Sequence, residues 1–157
     1  QKVSPKHRNG APARGLRHNK EVMTPRNNER FTVLVVDDDP SVLATYRRLL
    51  CRAGYNTVTE DDPCRLLTNG HLDPEVDLLL LDYKMPGMDG LTLLAELRRR
   101  RCTARCILIS AFLNDEVRGQ ARTLGVDEVL EKPVDVSRLR RLITDLLPLT
   151  GQGGAPN

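Results

Sequence analysis

The 157-residue chain is predicted to be an α/β protein: a five-stranded parallel sheet covered by helices on both faces. Strand-like runs alternate five times with amphipathic segments. Most of these runs are short, apolar and bounded by turn signals, as buried parallel strands are. Polar residues then fall where the runs end. Val33-Leu34-Val35-Val36 leads into Asp37-Asp38-Asp39, and Leu78 to Leu81 leads into Asp82. Cys106 to Ile109 leads into Ser110, and Val126 to Leu130 leads past Glu131 into Lys132. In open α/β sheets, ligands bind beyond the carboxyl ends of the strands. Carboxylates, a hydroxyl and an ammonium therefore converge on one edge, a set suited to a divalent cation and a phosphoryl group.

The first strand is read over Phe31–Asp37. Asp39-Pro40 then supplies a cap and a proline at the first helical position. Val42, Leu43, Tyr46, Leu49 and Leu50 make the apolar stripe of that helix, and Gly54 ends it. Asn56–Thr59 is a short polar strand, expected at an edge. A weak helix follows from Asp62 to Asn69, closed by Gly70. Val76–Asp82 is the third strand, expected at the centre. The turn-rich "YKMPGMDG" leads to Asp89, which caps a helix with Leu93, Leu94 and Leu97 inward. That helix ends in Arg98-Arg99-Arg100-Arg101, read as a solvated helix end where positive charge suits the dipole. Arg105–Ser110 is the fourth strand. Val117, Ala121 and Leu124 line a fourth helix that stops at Gly125. Val126–Leu130 is the fifth strand. Asp135 caps the last helix, with Val136, Leu139, Leu142, Ile143 and Leu146 as its stripe and Pro148 beyond its end.

Charge divides the chain. Residues 1–30 carry eight Lys/Arg against Glu21 and Glu29, a surplus of six positive charges. The net charge of the whole chain is only +3, so the remainder is acidic by about three charges. Residues 1–30 are read as a disordered basic tail, 31–147 as the folded domain and 148–157 as a flexible end. No apolar stretch is long enough to span a membrane. The start "QKVSPKHRNG" has no apolar signal core and no initiator Met, which reads as a processed or truncated start. A cytoplasmic location is expected. Cys51, Cys64, Cys102 and Cys106 fit neither a zinc nor a redox spacing and are read as reduced, packed thiols. His7, His18 and His71 lie away from the polar edge, which argues against histidine-based acid–base or zinc chemistry there.

Four segments, "VLVVDDDPSV", "LLLLDYKMPGMDG", "ILISA" and "VLEKP", occur in order at strand ends. Together they make residues 31–147 resemble the CheY-like receiver domains of response regulators. The resemblance implies a flavodoxin-like fold with strand order 2-1-3-4-5. It implies a phosphorylatable switch rather than an enzyme with turnover, fed by a histidine kinase or a histidine phosphotransfer protein. Carried over residue by residue, Asp82 is the phosphoacceptor. Asp38 and Asp82 are direct Mg²⁺ ligands, Asp37 holds the ion through water, and the Lys84 main-chain carbonyl adds a further ligand. Ser110, with the small Ala111 beside it, and Lys132 receive the phosphoryl oxygens. Lys132-Pro133 matches a Lys-Pro pair whose peptide bond is cis in the family. The family's switch aromatic is replaced by Val129, which has no ring to swing. Signalling is then expected through the surface of the fourth helix, fifth strand and fifth helix toward an unspecified output partner, with homodimerisation left open. No DNA-binding segment follows the last helix in the sequence given, so the receiver is expected either to stand alone or to be a domain of a larger regulator or hybrid histidine kinase, and no membrane partner is indicated.

Two other readings compete. Asp37-x-Asp39-x-Ser41 resembles the nucleophile motif of haloacid-dehalogenase-like phosphatases, with Asp37 and Asp39 as its carboxylates. Val129 alone favours an interaction module that works without phosphorylation. Phe112, two residues beyond Ser110, is placed near the mouth of the site.

Overall fold

The computed structural model describes residues 30–69 and 75–149. The strands are β1 Thr32–Val36, β2 Asn56–Glu60, β3 Val76–Asp82, β4 Arg105–Ser110 and β5 Glu128–Glu131. The helices are α1 Pro40–Ala53, α2 Pro63–Thr68, α3 Gly90–Arg99, α4 Asp115–Thr123 and α5 Val136–Leu146. All four strand pairings are parallel and the order is β2-β1-β3-β4-β5, as expected. The polar β2 lies at an edge.

Side chains alternate across each strand, and both faces are covered. Val33, Val35, Leu78, Leu80, Ile107 and Ile109 pack with Leu43, Tyr46 and Leu50 of α1 and with Leu139 and Ile143 of α5. Leu34, Val36, Leu79, Leu81, Cys106 and Leu108 pack with Leu93, Leu94 and Leu97 of α3 and with Val117 and Ala121 of α4. The continuous apolar runs thus serve two cores at once. Asp77, like Asp82 at the other end of β3, is a buried carboxylate, and its Oδ2 accepts the Thr32 N–H at 2.8 Å.

Several element ends differ from the reading above. β1 stops at Val36, because Asp37 turns into the site. β5 begins at Glu128 rather than Val126: the Val126 N–H donates to the Ala121 carbonyl at 2.9 Å, so it closes α4. Gly125, at φ 73°, makes that turn. Val136 is 47% exposed and leaves the apolar stripe, since it starts α5 at the outer lip. α3 ends at Arg99, and the Arg98 guanidinium is not simply solvated. It donates to the carbonyls of Leu124, Cys102 and Ala104 at 3.2, 2.9 and 2.7 Å, tying the ends of α3 and α4 together. Cys51 and Cys64 are exposed rather than packed; Cys106 is buried, and burial pushes its thiol up to about 12. The closure of α2 at Gly70, His71, and the reading of the two tails lie outside the described residues. No helix among the described residues is long and apolar enough to cross a membrane.

Candidate functional site

Strand register assembles the site. Val36 is opposite Leu81, Asp82 is opposite Ile109, and Ser110 is opposite Glu131. The residues that follow or end these strands therefore sit side by side at the carboxyl edge. Carboxylate oxygens of Asp37, Asp38 and Asp82 lie within 4.8 Å of one another. Asp37 and Asp82 are buried, at 4% and 6% exposure, whereas Asp38 faces solvent. Lys132 Nζ is 2.9 Å from Asp82 Oδ1.

Local chemistry separates the three consecutive aspartates. Asp37 Oδ1 accepts the Asp39 N–H at 2.9 Å, which pins its side chain inward. Asp39 turns away. Its Oδ1 accepts the Ser41 N–H at 2.9 Å and the Ser41 hydroxyl at 2.7 Å, so it caps α1. These hydrogen bonds hold the Asp39 carboxyl below the usual carboxylate range. The Asp37–Asp39 pair required by the phosphatase reading is therefore not directed at one point. The loop after Asp82 is drawn tight, with Gly90 N–H donating to Tyr83 O at 2.7 Å. A Cβ at Gly90 would lie 2.4 Å from the Asp82 carbonyl oxygen, so only glycine permits this approach. The turn signal "DG" was legible in the sequence; its close contact with the Asp82 backbone was not.

Burial dominates the electrostatics. It pushes Asp37 up to about 6, opposed by the Asp39 N–H and reinforced by the Asp82 charge. Burial also raises Asp82, against the hydrogen bond and charge of Lys132. At Lys132 burial acts to lower the pKa, but the Asp82 hydrogen bond and charge outweigh it and the net shift is upward. One ammonium thus faces three carboxylates. The surplus negative charge is the observation that suits a cation here, and hard oxygen donors of this kind match Mg²⁺. Among the described residues this is the group of three or more acidic, His or Cys side chains able to hold a metal ion.

The other sequence-selected residues surround this cluster with different partners. Ser110 is 1% exposed, and its hydroxyl donates to Phe112 O at 2.9 Å and accepts the Phe112 N–H at 3.0 Å. It is engaged with its own loop rather than with the carboxylates. Ala111 is exposed beside it. Lys84 is exposed, and its Nζ lies 5.4 Å from the centre of the Phe112 ring, a cation–π distance that links the loops after β3 and β4. Phe112 is 65% exposed. Sequence reasoning placed Phe112 here but had no signal for its contact with Lys84. Val129 is partly buried against the α3–α4 core. The Lys132-Pro133 peptide bond is cis, and the Lys132 N–H donates to Ser110 O at 2.9 Å.

A family model described as "Response regulator receiver domain" matches residues 33–144. The chain is 38% identical over 120 residues to the transcriptional regulatory protein AruR of Pseudomonas aeruginosa, covering 71% of this chain and 48% of AruR. It is 30% identical over 123 residues to the chemotaxis protein CheY of Treponema pallidum, covering 77% of this chain and 85% of CheY. The response regulator TrrA of Thermotoga maritima, solved with Mg²⁺ and BeF, superposes at a TM-score of 0.61 with 28% identity, over 74% of this chain and 99% of that one. The chain spans about half the length of AruR and a smaller part of other regulators it matches, such as 24% of NtrC from Escherichia coli. Receiver domains bind Mg²⁺ at an acidic pocket, and an aspartate cluster stands at the corresponding edge here. With the family pattern matched across nearly all of the described chain and its fold reproduced strand for strand, the protein belongs to the response regulator receiver domains of two-component signalling.

Proposed function

We propose that this chain accepts a phosphoryl group from a phosphohistidine, on a histidine kinase or a phosphotransfer protein, onto Asp82. The observation that carries the reading is the buried Asp82 carboxylate, set among two further carboxylates with Lys132 at 2.9 Å. An Asp82 carboxylate oxygen attacks phosphorus. The bond from phosphorus to the imidazole nitrogen breaks, and the electron pair stays on the imidazole, leaving Asp82 as an acyl phosphate. Such transfers depend mainly on positioning and charge neutralisation. Asp38, Asp82 and the Lys84 carbonyl would hold Mg²⁺, with Asp37 acting through water, and the ion would supply charge neutralisation for the phosphoryl group. Asp37 and Asp38 supply the negative charge that retains a cation beside Asp82.

Phosphorylation changes what Lys132 and Ser110 face. The acyl phosphate carries up to two negative charges where the carboxylate carried one, and Lys132 pairs with one oxygen. A unit pair at ~4 Å is worth ~4 kcal/mol at an effective dielectric of ~20, before desolvation. Ser110 leaves the Phe112 backbone to donate to another oxygen, and its loop follows. Since that loop leads into α4, the change reaches the surface of α4, β5 and α5, where an output partner binds. With Val129 in place of an aromatic, the shift is carried by backbone and by Ser110. The chain works as a phosphorylation switch rather than a turnover enzyme.

The test is phosphate incorporation from acetyl phosphate with Mg²⁺. Asp82→Asn keeps the shape and loses the nucleophilic charge, so acid-labile labelling should vanish. Undiminished labelling of this variant would move the acceptor to Asp37 or Asp38. Labelling absent even from the wild type, together with no Mg²⁺-dependent response to beryllofluoride, would favour the phosphorylation-independent module.

A further inference from the structure

A groove of about 650 Å³ separates α3 from α4. Leu91, Ala95 and Leu124 contribute apolar lining, and Glu96, Asp115 and Glu116 contribute carboxylates. No Lys or Arg lines it. Glu96 is already paired with Arg99 at 2.7 Å, which leaves the α4 carboxylates Asp115 and Glu116 as its main charge. The α1–α5 side is opposite in character. Two cavities among the described residues there, of about 300 and 280 Å³, are lined by Lys132 in one and by Arg48, Arg52 and Arg140 in the other. A positively charged segment is attracted to the first groove and repelled by the three arginines of the smaller cavity, whereas Lys132 in the other is already paired with Asp82.

We infer that the α3–α4 groove binds the basic N-terminal segment of this same chain, with Arg14-Gly15-Leu16-Arg17 as the part that enters. That segment sets one leucine between two arginines, which matches an apolar floor with acidic walls. The surplus of six positive charges in residues 1–30 meets a folded part that is acidic overall. Reach is sufficient: the 13 residues from Arg17 to Arg30 span up to ~45 Å, against ~35 Å for the diameter of a domain of this size. Gly119 leaves the groove open, since a Cβ there would meet nothing within 4 Å. One wall is α4, so the docked segment covers a flank of the surface assigned above to output. That consequence rests on the proposed switch, whereas the docking itself does not.

The experiment follows backbone amide signals of the 157-residue chain by NMR at low salt, without phosphorylation. Arg14→Glu/Arg17→Glu should shift the amides of Ala95, Gly119 and Gln120, and addition of about 0.5 M salt to the wild type should move them the same way, because exposed charges are screened. In an Asp115→Asn/Glu116→Gln background the tail substitution should lose most of its effect on these amides. Leu16→Ala should reproduce part of it. Groove amides that ignore the tail substitution would overturn the inference. So would shifts that grow with protein concentration, which mean a second copy, or shifts confined to the α1–α5 cavities. Loss of phosphate incorporation would leave these signals unaffected, so a failure of the switch reading and a failure of the docking are separable.

Discussion

Replacing Asp37 by Asn should stabilise the metal-free protein at neutral and alkaline pH. Asp37 is 4% exposed, and its carboxyl is pushed up to about 6 from the usual 3.8. Between these two values the folded state holds a proton that the unfolded state has lost. Stability therefore falls as pH rises from about 4 to 6, and the penalty is complete above about pH 7. The gap corresponds to ~3 kcal/mol. Asn keeps an oxygen for the Asp39 N–H, bonded at 2.9 Å in the wild type, and carries no charge. The variant should thus be more stable by ~3 kcal/mol near pH 8, about 10 °C in Tm for a domain of this size, with most of the gain gone near pH 4. Urea unfolding in a chelator, repeated across this range, measures the difference. Mg²⁺ should then stabilise the wild type more than the variant, because it offsets a repulsion that Asn has already removed. A gain of equal size at both ends of the range, or no gain at pH 8, would refute the argument from burial and mutual repulsion.

Asp38→Ala should weaken Mg²⁺ binding far more than Asp39→Ala. The Asp39 change should instead cost about 1 kcal/mol through the lost α1 cap, and equal Mg²⁺ affinities in a titration would revive the Asp37–Asp39 pairing. Lys132→Ala should bind Mg²⁺ at least as tightly as the wild type, since a nearby positive charge is removed. The same variant should lose the beryllofluoride-induced change in amide hydrogen exchange over α4, β5 and α5; an undiminished response would assign the switch to Ser110 alone. Gly90→Ala should destabilise by more than 1 kcal/mol because its Cβ meets the Asp82 carbonyl oxygen, whereas Gly119→Ala, with open space and helical backbone, should stabilise by ~0.5–1 kcal/mol. Paired thermal melts compare the two, and similar effects would mean that the loop after β3 yields to the added methyl.

The fold was legible because its signals are local. Continuously apolar runs can be satisfied only by a sheet covered on both faces, and Asp39, Asp89 and Asp135 cap helices as their sequence context suggested; Asp62 and Asn114 do so as well, without having been read as caps. The errors fall where local pattern is mute. Val126 has the apolar character of a strand residue but spends its N–H on the end of α4. Val136 matches the helical stripe yet lies at the outer lip of α5. Four arginines in a row look like a solvated end, but Arg98 reaches three carbonyls on two other segments, which no spacing rule reveals.

For the site, sequence by itself determined which side chains arrive at the carboxyl edge, because each ends or follows a strand whose length and direction are set by its own apolar run. Tertiary structure alone decided what each one does there. Register set Asp82 beside Asp37 and within 2.9 Å of Lys132, while burial raised Asp37 and left Asp38 in solvent. A turn directed Asp39 to a helix cap and Ser110 to the Phe112 backbone. The physical reason is range. Hydrophobic periodicity and capping act within a few residues of chain, whereas desolvation and Coulomb interaction depend on distances between segments 45 to 95 residues apart, which only the packed sheet brings together.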